Sequence, residues 1–595
     1  GGTLTLGSTK ANATDYFTGT STVLSNLTNG ITVETATNTA TNGNNTDTRN
    51  AATADNVIFA PTSWANSFYI PTSTSANYYG PLQDAYILNQ NPDYLKLELT
   101  FASGANANNI TKQGSTLYSA PVFPTYVPVS STSTYSLTST PTSIDYAANL
   151  IFQGNNTVSG YTAISDGNIK LNGDNIVFNG TVNAGSIDVA AVGTTTFKNA
   201  INVSTGPVDD LKFSAAGTVV LNSDLTGNVV TTGNNQGILT TTGVNQTITG
   251  NIGSSTSLDL NTLNIGSNTD ATNYSKTTIN GNVFADSTVL NNNGTTNSSE
   301  LILASGKNIT STITTTDANM GILTLAGGTQ TVTGQVGDST NKLAEVNTGN
   351  GTSTFTNDVY ATNLDLEGTG TVNLNGNYTG TALRYNDNGI VNLSDGKNIN
   401  SSITSDAPNQ GTLNLVGTST VSGQVGDVTN NLKEINANGT AGKTVTFAND
   451  VYATNTNIGA GTVDIKGNLT GAVNSTSPGV GTLTTTGIID QIITGTVGNI
   501  GNLNVSNTGH STTVAGNVNA VNTKIDSTLI MTDGSNISSI ITGTGNLTLN
   551  GSSTVTGTVG ASGNSLANVK SGANSSDSTF VNNVYANTVE NTGTG

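Results

Sequence analysis

The chain has 595 residues, 17 basic against 36 acidic side chains for a formal charge of −19, a pI near 4.1 and no cysteine. That balance works against phosphate backbones and anionic lipid, which excludes nucleic-acid binding, and the missing thiols exclude disulfides and cysteine-ligated zinc. With 5 % aromatic and 9 % charged residues there is too little bulky apolar material for several thick globular cores, yet Val, Ile, Leu and Thr alternate too regularly for disorder.

Residues 1–150 form a Pro- and aromatic-rich region. Eight of the eleven prolines and ten of the seventeen tyrosines fall there, with Trp64. Proline is confined to sheet edges, strand starts and turns, so a loop-rich β region distinct from the rest is expected. Trp64, Phe68, Tyr69, Tyr78 and Tyr79 are either this region's own core, the commoner fate of aromatics, or a contact surface for a partner. Strict alternation over Tyr94-Leu95-Lys96-Leu97-Glu98-Leu99-Thr100-Phe101 predicts a strand.

Residues 151–220 read as an irregular lead-in of short strands. From 221 to 595 one unit repeats, with boundaries near 220–297, 298–384, 385–472, 473–527 and 528–595. Its landmarks keep their order. A Gly-x-Asn-Ile turn (Gly306, Gly396, Gly534) precedes a glycine-led strand (Gly321, Gly411, Gly481, Gly545). A Thr/Ser-Gly-x-Val-Gly step follows, with valines at Val336, Val425, Val497 and Val559, and then a Val-Tyr-Ala run at Val359-Tyr360, Val451-Tyr452 and Val584-Tyr585, with Val283 in a relative of it.

The glycines of the Gly-x-Val step sit at 250, 334, 423, 495 and 557, at steps of 84, 89, 72 and 62 residues. Tandem small β-sandwiches are the alternative for strands so spaced, but a closed sandwich tolerates loss of a strand set poorly, whereas a solenoid gains or loses whole coils. The expected fold is therefore all-β, a right-handed parallel β-helix. At about 20 residues and about 4.8 Å per coil, residues 151–595 make about 22 coils, a rod of roughly 100 Å, with three or four coils per unit. Val283, Val332, Val336, Val359, Tyr360, Val425, Val451, Tyr452, Val497, Val559, Val584 and Tyr585 are the expected ladder positions, and 338–354 an external insert.

No apolar run reaches eighteen residues and no leader is visible, so neither a membrane span nor a signal peptide is expected. The start without Met and the stop part-way through a unit mark an expected piece of a longer protein.

Ser394-Asp395-Gly396-Lys397-Asn398-Ile399, Gly411-Thr412-Leu413-Asn414-Leu415, Thr554 to Gly560 and Phe447 to Asn455 resemble the passenger regions of rickettsial outer-membrane autotransporters, the surface cell antigens of the outer-membrane protein A and B type. The resemblance covers about 220–595. It implies a passenger carried outward by a C-terminal membrane barrel absent from this chain. Such a passenger is a surface antigen and adhesin for host-cell attachment, a virulence protein or an S-layer-like coat, located at the outer membrane or secreted. Its partners would be a host-cell surface protein and other copies of itself.

Chemistry reads as sparse. Ala437 to Thr444 imitates a phosphate loop but lacks its first glycine and runs into a strand. His510 has no second histidine to share a metal, and Lys307 and Lys397 read as solvated corners. Of the acid pairs a β-helical polysaccharide enzyme would need, Asp209-Asp210 point to opposite faces and Asp365/Glu367 share one without a third group. Asp338 and Asp427 recur after the Gly-x-Val-Gly step, but Ser254, Asn499 and Ala561 replace them, so no repeated calcium site is expected and scattered calcium stays open. No catalytic, cofactor or metal residue is assigned, and the expectation is a non-enzyme.

Overall fold

In the computed structural model, residues 147–203, 210–267, 274–292, 298–572 and 576–593 are described, with the backbone of nine strands before residue 147. The aromatic cluster Trp64 to Tyr79 lies outside the described residues. The chain divides into two compact units, Gly1–Val289 and Leu290–Gly595.

All described regular structure is β, a parallel solenoid of about 21 turns from residue 150 onward. From Ala147 onward strands pair in parallel with their counterparts one coil later, a pattern that sandwiches, with their antiparallel sheets, do not give. One turn in the second unit runs through Val359–Tyr360, Asn363–Leu366 and Thr371–Leu374, which lie on Tyr378–Thr379, Ala382–Tyr385 and Ile390–Leu393. Three strand segments therefore make a turn, and the period-2 alternation sends Val, Leu and Ile inward while Thr and Asn face out. The inward row Phe355, Leu374, Leu393 and Leu415 is buried throughout. In the first unit Phe178 and Phe197 stack at 4.9 Å with Phe152 edge-on to Phe178, and the row continues through Leu221. Upstream, Lys96–Phe101 pairs in parallel with Ala147–Phe152, so at least this strand of the first 150 residues continues the coil stacking despite its different composition.

The repeated words of the sequence have mechanical meanings. In Gly-x-Asn-Ile, the Oδ1 atoms of Asn308, Asn398 and Asn536 accept the N–H of Thr331, Thr420 and Thr554 one coil on, each at 2.8 Å, closing the corner where the ladder is interrupted. At Gly334 and Gly557 an added Cβ would stand 1.8 and 1.7 Å from the carbonyl oxygens of Ser311 and Ser539. Here the coil below passes too close for any side chain.

The unequal unit lengths resolve into whole coils plus one corner. From Val336 the ladder passes through Val359, Tyr378 and Ile399 to Val421, four coils, and Val425 stands one corner further along. From Val425 three coils lead through Val451 and Leu469 to Ile493, one corner before Val497. Three more lead from Val497 through Val518 and Ile537 to Val555, one corner before Val559. Each of the last three units thus starts one face further around the turn than its predecessor.

Two expectations need correction. Tyr360 and Tyr452 directly follow inward valines and so turn outward, half-buried, and Tyr585 is exposed beside a half-buried Val584. The stretch 338–354 is mostly coil, since Leu343–Thr348 and Gly351–Phe355 are laddered strands, which leaves only the corner loop outside. The remaining valines named above, from Val283 to Val559, are buried.

Candidate functional site

Two places in the second unit depart from the regular pattern. The first is an ionic cluster around one buried acid. Asp365 faces outward from the strand Val359–Leu366, yet it is only 2 % exposed, because Arg384 lies over it with Nε 2.6 Å from Oδ1. The guanidinium also reaches toward Glu345, 3.8 Å away. Desolvation and the neighbouring Glu345 push the Asp365 carboxyl up to about 7, against the opposing pull of Arg384. Below it the buried Tyr378 hydroxyl donates to the carbonyl of Ala382 at 2.6 Å, with the carbonyl of Ala361 3.2 Å away.

Glu345, not Glu367, is the carboxylate beside Asp365. The strand ends at Leu366, so the i/i+2 rule stops applying, and Glu367 is exposed and accepts from Asn386 at 2.9 Å. Neither Glu345 nor Arg384 stood out in the sequence, because they lie one coil to either side. Asp365 itself is closed off from solvent, while the Glu345 and Arg384 side chains remain 31 % and 36 % exposed. Asp209 falls outside the described residues, and Asp210 is half-buried at the start of Asp210–Phe213.

The second place is a groove of about 570 Å³ crossing consecutive coils, lined by Pro478, Gly479, Asn519, Val521, Ser538 and Ile540 among others, with no charged side chain. Its origin is visible by comparison with sister units. After Val336 and Val425 the chain makes a corner loop in which Asp338 and Asp427 accept two backbone N–H groups through Oδ1, from Thr340 and Asn341, and from Thr429 and Asn430. Beside each loop an Asn–Thr pair ties coils together, Thr362 to Asn319 and Thr454 to Asn409. After Val497 the loop is missing, Val497-Gly498-Asn499-Ile500 running straight on, and the tie is replaced by Gly479 and Val521. Removing loop and tie together opens the groove and leaves Val521 and Ile540 51 % and 49 % exposed.

The other sequence candidates are structural. The Asp338 and Asp427 loops are turns in which one carboxylate oxygen is already engaged by backbone. Lys443 pairs with Asp395 at 2.6 Å and the chain continues as the strand Thr444–Phe447, so no helix N-terminus faces a phosphate. His510 lies 3.8 Å from Asp490, and Lys307 and Lys397 follow left-handed corner glycines. Among the described residues no group of three or more His, Cys, Asp or Glu side chains could hold a metal, and no helix is long and apolar enough to cross a membrane.

Outer membrane protein A of Rickettsia rickettsii is 33 % identical to the chain over 281 residues, 44 % of this chain and 12 % of that protein. The chain is similar over part of its length to a rickettsial outer membrane protein. The chain thus spans about an eighth of the relative's length, and the sequence resemblance to autotransporter passengers of that type agrees with the parallel solenoid. No family model matches, and no solved structure matches.

Proposed function

We propose that the chain is a bacterial cell-surface passenger, displayed outward at the outer membrane as an adhesin and structural coat component rather than an enzyme. The observation that carries this reading is the division of labour within each coil, on a chain similar to an outer membrane protein. Inward Val, Leu and Ile and corner Gly and Asn recur from unit to unit, while outward positions and corner loops drift, as at Asp338, Asp427 and Ala561. A solenoid built this way uses its recurring chemistry for stacking and leaves its exterior free for contacts. Asp365, the one buried acid of the ionic cluster, is held by Arg384 and is not presented to solvent.

The test is display and attachment. Protease added to intact cells producing the protein should remove the chain while periplasmic markers survive, and purified chain should bind cultured host cells saturably. A chain protected in intact cells would end the surface reading; cleavage without saturable binding would end the adhesive part alone.

A further inference from the structure

The groove between Pro478 and Gly557 exists because one unit lacks the corner loop its sisters carry, and a sister loop carries a matching projection. Of the three corner loops after Val336, Val425 and Val559, the tip residue following Asp338, Asp427 and Ala561 is Ser339, Val428 and Ser562 respectively. Val428 is 84 % exposed, on a tip whose sisters are polar. Apolar surface of that kind gains from burial, and the groove offers Val521, Ile540 and Pro478 to receive it. We propose that the groove receives the corner loop Gly426–Asn431 of a second copy of this chain, with Val428 seated against Val521 and Ile540.

Charge favours the same pairing. At −19, two copies repel over most approaches, but the groove lining carries no charge and the loop's one acid, Asp427, turns an oxygen toward the N–H groups of Thr429 and Asn430. Three backbone N–H groups of the loop are engaged by its own turn, that of Asp427 donating to the Asn430 carbonyl at 3.1 Å and those of Thr429 and Asn430 to the Asp427 carboxylate, so docking need not break them. An extended peptide would lack that closure, since the groove's strands give their hydrogen bonds to neighbouring coils. Knob and hole are different patches of one chain, so the contact is heterologous: each added copy leaves one knob and one hole free, and growth is open-ended unless a ring closes. The inference deepens the coat component of the proposed function, and rests on that reading only for where assembly takes place.

Sedimentation velocity on the full chain across a concentration series tests it. The unaltered chain should associate progressively, while Val428→Asp and Ile540→Asp should each weaken association at least tenfold with unchanged circular dichroism; both sites are exposed, so folding is spared. Val521→Asp serves as a second hole variant. The decisive arm mixes Val428→Asp, which keeps its hole, with Ile540→Asp, which keeps its knob: dimers should form and grow no further. A chain monomeric at every concentration, association surviving in both variants, or a mixture that stays monomeric overturns the proposal. None of these outcomes bears on protease access at the cell surface, so the two readings fail separately.

Discussion

Asp365 sits in a strand otherwise made of Val, Tyr, Ala, Thr, Asn and Leu, and its carboxyl titrates near 7 instead of 3.8, because burial and Glu345 outweigh Arg384. The folded chain therefore keeps a proton that the unfolded chain has already lost between those two values. The sign follows from proton linkage: this contribution to stability is complete below about 3.8, declines as pH rises, and is gone above about 7. Asp365→Asn imitates the protonated form at every pH. Thermal melts from pH 4 to 8 should show the unaltered chain losing stability, relative to the variant, across that window, with the variant at least as stable at pH 8. Parallel melting curves for the two proteins would show that Asp365 is ionised in the folded state throughout.

At the scale of the turn, glycine serves two different ends. Gly306 has φ of 71° with open space where a Cβ would go, whereas at Gly334 a Cβ would meet the Ser311 carbonyl at 1.8 Å. Gly306→Ala should cost about 1 kcal/mol, the strain of a left-handed residue. Gly334→Ala must push two coils apart and should cost about 3 kcal/mol, at the upper end of overpacking effects. Urea denaturation measures both; equal costs would mean that coil spacing yields easily at the corner. The sequence made the repeat, the Gly-x-Val step and the inward valines legible, because each is a local pattern that every unit must satisfy. Hidden from it was whatever depends on the neighbouring coil. Nothing in the spacing of Val421 and Val425 says that one closes a turn and the other opens the next face, and nothing near Asp365 announces Arg384. Likewise Val521 reads as an ordinary Thr-to-Val drift until it is seen beside Gly479, where the Asn–Thr tie is lost.

Each compact unit holds together by contacts one coil deep, so damage should stay local. Leu413 pairs with Val391 on one side and Ile435 on the other, all three fully buried. Leu413→Ala leaves a cavity worth roughly 2–5 kcal/mol, and in a stack governed by nearest-neighbour terms that loss is confined to the coils that share the interface. Hydrogen exchange should therefore speed up in Ile390–Leu393, Gln410–Leu415 and Leu432–Ala437. Thr528–Met531, in the same compact unit but several coils away, should keep its protection. A globular core predicts the opposite, because there the cavity lowers the global opening energy and every slowly exchanging amide accelerates together. Uniform acceleration across the unit would thus mean that the coils unfold as one cooperative body. Acceleration limited to the three named strands would mean that a unit can change one coil, or lose a corner loop as it does after Val497, without endangering the rest.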